Sequence, residues 1–285
     1  MSTAVPRDRG SAPRGAYGVR VTGIEAGAEW LGAVPAHFPA LRMAYRQRPH
    51  ASAASSIDGD RAVFVLDGGR ALTVDRETAC ATYCSPRLPL AADVVHPLLT
   101  AAAGAIGLWS GYEMFHAAAF VAEGRVWGLL GDRESGKSTL AACLAQRGHP
   151  VVCDDLLAVR GRTALAGPRC IDLRPQAARH LGAGEQAETE GSRERWRLTL
   201  APVDAEIVLG GWVVLTWADT VEAVRIRARD LIGRLAAHRT WRGVSVDPAG
   251  LLDLASLPAW ELRRPRGWAS FGPAVDAVET ATASR

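Results

Sequence analysis

The segment Gly131-Asp132-Arg133-Glu134-Ser135-Gly136-Lys137-Ser138-Thr139 sets four residues between two glycines and follows the second glycine with a lysine and two hydroxyls. That spacing is the signature of a phosphate-binding loop. Glycines permit the bend that turns successive backbone N–H groups inward, and a helix starting at the lysine adds the positive end of its dipole at the same point. Such a concavity favours a polyphosphate. Lys137 is placed to reach the β- and γ-phosphates of ATP, and the Ser138 hydroxyl to ligate Mg²⁺. Arg133 and Glu134 occupy the loop centre, where small residues are more comfortable, and Glu134 brings a negative charge towards the ligand.

Composition sharpens the reading of Lys137. Of the 33 basic residues, 32 are arginine and one is lysine. Blind assignment would put the sole lysine at the loop position with odds of roughly one in thirty, and it is there that a compact ammonium contacts phosphate.

The flanks carry the periodicities that the loop requires. His116 to Val121, the turn Ala122-Glu123-Gly124-Arg125 and Val126 to Leu130 read as an antiparallel hairpin whose second strand enters the loop. If Val121 faces Val126, counting back sets His116 opposite Gly131, with its imidazole beside the phosphates. Ser138 to Arg147 reads as a helix stopped by Gly148, and Pro150 to Cys153 as a strand that ends in Asp154 and Asp155. Strand alternation turns these two carboxylates to opposite faces, which assigns Asp154 to Mg²⁺ and Asp155 to the proton of an acceptor hydroxyl.

The stretch from Phe115 to Val159 resembles the carboxy-terminal catalytic domain of the HPr kinase/phosphorylase family, P-loop protein-serine kinases related in fold to phosphoenolpyruvate carboxykinase. The resemblance rests on His116, on Gly131 to Thr139, and on Gln146-Arg147-Gly148-His149 leading to Val151-Val152-Cys153-Asp154-Asp155. It implies that Lys137 binds phosphate, Ser138 binds magnesium, Asp155 takes the proton of an acceptor serine and His116 belongs to the active site. The family's later signature survives as Ile171-Asp172-Leu173-Arg174, which suggests Asp172 as a further metal ligand. The implied activity is one-way transfer from ATP to a serine of a peptide or protein, as in the HPr-kinase-like proteins of peptide natural-product clusters. A kinase of a free small-molecule hydroxyl and a nucleotide-sensing module that transfers nothing are the competing functions.

The expected fold is α/β, a P-loop kinase core of the HPr kinase and phosphoenolpyruvate carboxykinase type with a mixed sheet. The core is expected over 113–270, after a disordered leader over 1–15 and a β-rich part over 16–112 packed on the core, and before a flexible tail over 271–285. Ala62 to Leu66 and Ala71 to Val74 read as a hairpin of the β-rich part, and Val94 to Trp109 as a helix. Apolar runs are not expected to reach a membrane span, and a net charge of +3 spread among acids gives little pull on nucleic acid. Five cysteines with no zinc-like spacing suggest a reduced cytoplasm. A homo-oligomer is left open.

Three arginine sets close the inventory: Arg193, Arg195 and Arg197; Arg225, Arg227 and Arg229; and Arg263, Arg264 and Arg266. On a strand the first set shares one face and could clamp phosphate or an acidic acceptor, whereas solvated faces are the commoner outcome for the others. Trp127, Trp212 and Trp217 lie in apolar runs, where a structural role is expected.

Overall fold

The computed structural model describes residues 12–48, 54–189, 194–241 and 247–283. They form a mixed α/β protein with an eight-stranded, a nine-stranded and a three-stranded sheet. The eight-stranded sheet lies between Arg14 and Ser85 and contains the expected hairpin, Arg61–Leu66 against Arg70–Asp75. Ala40–Gln47 runs parallel to both Val19–Thr22 and Cys80–Ser85, so this sheet is mixed.

The nine-stranded sheet positions the loop. Its order begins Val151–Cys153, Ala118–Ala122, Arg125–Leu130, Glu206–Trp217, and Ala259–Arg264 pairs in parallel with the last of these. Ala118–Ala122 is antiparallel to both Arg125–Leu130 and Val151–Cys153, so these two run the same way. Because Arg125–Leu130 is also parallel to Glu206–Trp217, four strands point their carboxyl ends to one edge. Gly131, Asp154 and Arg264 therefore converge there from distant parts of the chain.

Side chains of these strands alternate between two cores. Val126 and Leu130 join Leu209, Trp212 and Val214 in a cluster that continues through the helix at 100–109 into the eight-stranded sheet. Trp127 and Leu129 join Val213 and Leu215 in a second cluster, covered by the helices Lys137–Gln146 and Phe271–Ala283. The sheet is thus apolar on both faces, as its near-continuous hydrophobic strands require.

Four expectations are corrected. The stretch 271–283, expected as a flexible tail, is a helix that buries Ala274, Val275, Val278, Ala281 and Thr282. Arg14 and Gly15, assigned to the leader, belong to a strand, Arg14–Ala16, paired with Val19–Thr22; residues 1–11 lie outside the described residues. The stretch Ala91–Trp109, at mean hydropathy 1.4, is long and apolar enough to cross a membrane, although 72% of its apolar window is buried in the protein. Leu98, Leu99, Ala102 and Ile106 account for that apolarity as core residues. Finally, the hairpin pairs Val121 with Val126 but ends at Ala118 opposite Leu129, so His116 is outside it.

Candidate active site

The loop leaves the Arg125–Leu130 strand at Gly131, whose φ of 155° goes with a tight approach: a Cβ there would lie 2.6 Å from Ser135 Oγ. Ser135 N–H closes a turn onto Asp132 O at 3.1 Å, and Glu134 is left-handed at φ 68°. Gly136 is left-handed too, and a Cβ on it would lie 2.4 Å from Arg264 Nη2. Gly131 thus allows a close approach, and Gly136 both a left-handed backbone and a close approach.

Lys137 is the first residue of the helix Lys137–Gln146, and its ammonium turns back inside the loop. Nζ donates to Gly131 O at 2.7 Å and to Asp132 O at 3.1 Å. Burial pulls its pKa down, while Asp154, Asp155 and Asp132 act in the opposite direction. The sole lysine therefore places its charge where the orphan amides of the helix start also point.

Glu134 is not left facing the loop's ligand space alone, because Arg174 Nη2 donates to its Oε1 at 2.8 Å. Arg133 is exposed and lines the adjoining cavity together with Gly136, Lys137, Ser138 and Thr139. Asp132 is exposed, with His238 Nε2 3.8 Å from its carboxylate.

The two aspartates differ by environment, and alternation does not separate them as expected. The strand ends at Cys153, Asp155 is left-handed at φ 70°, and both residues line the same cavity. Asp154 is 5% exposed and accepts from Ser138 Oγ at 2.9 Å. Burial, reinforced by the charge of Asp155, pushes its carboxyl up to about 7. Asp155 has a side chain 54% exposed. What burial it has works upward, but the His116 hydrogen bond and the charges of His96, His116 and Lys137 outweigh it and bring the pKa to about 2.

His116 sits at the break between the strands Glu113–Phe115 and Ala118–Ala122, where its N–H donates to His238 O at 2.8 Å. Its Nδ1 lies 3.0 Å from Asp155 O and 3.3 Å from Asp155 Oδ1. It holds the carboxylate instead of facing Gly131 across a ladder.

Asp172 is drawn to the site, with both carboxylate oxygens engaged by arginine. Arg197 donates to Oδ1 at 2.7 Å and to Oδ2 at 2.8 Å, and Arg195 donates to Oδ2 at 3.2 Å. The bidentate bond makes Asp172 an anchor for guanidinium groups more than a free metal ligand. Arg195 and Arg197 do share a face, but they clamp Asp172; Arg193 lies outside the described residues. Among the described residues, no three His, Cys, Asp or Glu side chains form a metal-binding group. Ser138 and Asp154 still fit Mg²⁺, a hard cation held by one or two protein oxygens plus substrate phosphates.

Two site residues escaped the sequence reading as such. Arg264, 1% exposed, lies beneath the loop, donating to Ser135 O at 2.8 Å and to Ser270 Oγ at 3.2 Å. Its guanidinium stacks over Trp217 at 4.4 Å and Phe271 at 4.2 Å, and burial brings its pKa down to about 10. Its place at the end of a strand parallel to Glu206–Trp217 was the available signal. His96 comes from the amino-terminal part and lines a cavity of about 560 Å³ with Ser138, Asp154 and Asp155. That cavity shares the carboxylates with a second one of about 660 Å³, which holds Lys137, Thr139 and Trp268.

No protein-family model matches this chain, and no curated protein does. Among solved structures it is similar to the Hpr(Ser) kinase/phosphatase from Coxiella burnetii, at 14% identity and a TM-score of 0.27, over 60% of this chain and 94% of that one. At that TM-score the likeness carries no weight for fold or activity.

Proposed function

We propose that this protein is an ATP-dependent kinase that transfers the γ-phosphate to a serine hydroxyl of a peptide or protein. One juxtaposition carries the reading: the only lysine of the chain lies inside a glycine loop, and the next residue carries a hydroxyl bonded to a buried carboxylate. Phosphoryl transfer asks for little covalent chemistry from a protein, so positioning and charge do most of the work.

In this reading the amides of Gly131 to Thr139 and the ammonium of Lys137 hold the triphosphate. Ser138 and Asp154 would hold Mg²⁺, which when bound neutralises charge on the phosphate oxygens. Asp155 accepts the proton of the attacking hydroxyl, and His116 fixes its carboxylate. A carboxyl near 2 is a weak base, yet it suffices where the transition state is loose and the proton leaves late. The acceptor oxygen forms its bond to phosphorus as the bond to the β-phosphate oxygen breaks.

The test is incubation of the full chain with γ-labelled ATP and serine-containing peptides, with free serine in parallel. Label on peptide supports the reading; label on free serine alone transfers it to small-molecule chemistry. Asp155→Asn is expected to keep nucleotide binding and lose about 10²–10⁴-fold in rate. Unchanged turnover in that variant would remove Asp155 from the role.

A further inference from the structure

His96 lies far in sequence from every motif of the loop, yet it borders the cavity beside the two aspartates. The helical segment Val94–Leu99 is interrupted at this residue, whose backbone is extended at φ −130° and ψ 118°. His96 is 5% exposed. Its carbonyl accepts from Arg195 Nη1 at 3.0 Å, and the same nitrogen reaches Asp172 Oδ2. The ring is fixed separately, with Nδ1 2.7 Å from Thr100 Oγ1.

The Thr100 hydroxyl has one hydrogen, with Val95 O at 3.3 Å as an acceptor and Tyr17 Oη also 3.5 Å away. When that hydrogen goes to Val95 O, the Thr100 oxygen accepts from His96, which puts the imidazole hydrogen on Nδ1 and leaves a lone pair on Nε2. Burial lowers the pKa of the ring, against the charges of Asp172 and Asp155. Nδ1 is taken by Thr100, and the residue lines the cavity together with Asp154 and Asp155.

We propose that His96 Nε2 accepts a hydrogen bond from the acceptor's hydroxyl and orients its oxygen towards the γ-phosphate, so that the amino-terminal part supplies an acceptor-binding residue. The proposal rests on the kinase reading above. It gives the 560 Å³ cavity a definite occupant, the hydroxyl-bearing side chain of the acceptor, next to the base assigned to Asp155.

Two measurements on the full chain test it. Long-range ¹H–¹⁵N correlation, with His96→Gln to identify the signals, is expected to show the Nδ1–H tautomer; an Nε2–H tautomer overturns the proposal, because that nitrogen would donate to the cavity. Kinetics with γ-labelled ATP and a serine peptide then compare three variants. His96→Ala and His96→Asn are expected to lower kcat/KM for the peptide about 10²-fold at unchanged ATP affinity. His96→Gln, whose amide oxygen reaches the Nε2 position, is expected to recover part of it. Asn retains a donor for Thr100, but its amide stops short of the Nε2 position, so a merely structural role would leave it near wild type. If the Ala variant does not fold, the contrast of Asn with Gln decides. Asn at wild-type activity overturns the proposal and leaves the kinase reading standing, whereas a wild type that labels no hydroxyl probe overturns both.

Discussion

Asp154→Asn probes the charge arrangement of the site through stability alone. Asp154 is 5% exposed, and its carboxyl is held at about 7 instead of 3.8. A carboxyl raised by folding stabilises the protein while protonated. That contribution is complete below the unfolded value and is lost as pH rises through the folded value, about 7. A gap of about three pKa units corresponds to about 4 kcal/mol, of which roughly 3 is lost between about pH 5 and pH 8. Asn cannot ionise, so the stability of the variant relative to wild type is expected to grow by roughly 3 kcal/mol over that range, or roughly 5–10 °C in Tm for a chain of this size. Asp155, near 2, stays charged throughout and does not add to the slope. The assay is urea and thermal unfolding of both proteins in chelator, without nucleotide. An advantage that stays flat with pH refutes the claim that Asp154 is buried at a cost. Mg²⁺ with ATP is then expected to stabilise wild type at about pH 8 and to have little effect on the variant, since the proposed ligand is the ionised carboxylate.

Three further outcomes follow from contacts around the loop. Arg264→Met removes the guanidinium that holds Ser135 O at 2.8 Å, and ATP affinity by calorimetry is expected to fall about tenfold, in line with one charge-assisted hydrogen bond. A Kd within twofold of wild type would show that the loop keeps its shape unaided. Gly136→Ala sets a Cβ 2.4 Å from Arg264 Nη2 at a left-handed φ of 89°, so denaturant unfolding is expected to register a loss of about 1–3 kcal/mol. Arg174→Ala removes the guanidinium that donates to Glu134 at 2.8 Å and is expected to weaken ATP binding several-fold with under about 1 kcal/mol of stability change. Adding Glu134→Ala in the same chain should restore affinity, and failure to do so would mean that Arg174 contacts phosphate itself.

What the sequence made legible was local. The turn at 122–125 fixed the pairing of Val121 with Val126, because a short hairpin sets its own register. Loop, helix and carboxylate strand follow one another within 25 residues, from Gly131 to Asp155, and each is specified by its own glycines and periodicity. The carboxy-terminal helix was hidden by its composition. Its buried positions 274, 275, 278, 281 and 282 keep helical spacing, but Ala and Thr fill most of them, so the stripe reads as small and polar. Hydropathy ranks such residues low even where they pack closely.

The remaining features depend on contacts that no local pattern encodes. Glu134 looked like a fault in the loop until Arg174, 40 residues away, was found paired with it. Arg264 is 129 residues from the carbonyl it holds, and neighbouring Arg263 pairs with Glu222 and Glu261 as an ordinary surface charge. Alternation along the strand separates these two arginines, turning Arg264 under the loop and Arg263 outward, and the order of strands brings that strand end to the loop. His96 follows the same logic. The helix is interrupted there, and the residue's carbonyl accepts from Arg195, which also donates to Asp172. Asp172 is therefore bound to both parts of the chain through Arg195, which lines the wall of the cavity that His96 borders. The carboxylate pair and that wall thus depend on each other, and a change at Arg195 is expected to be felt first in acceptor binding and only then in nucleotide binding.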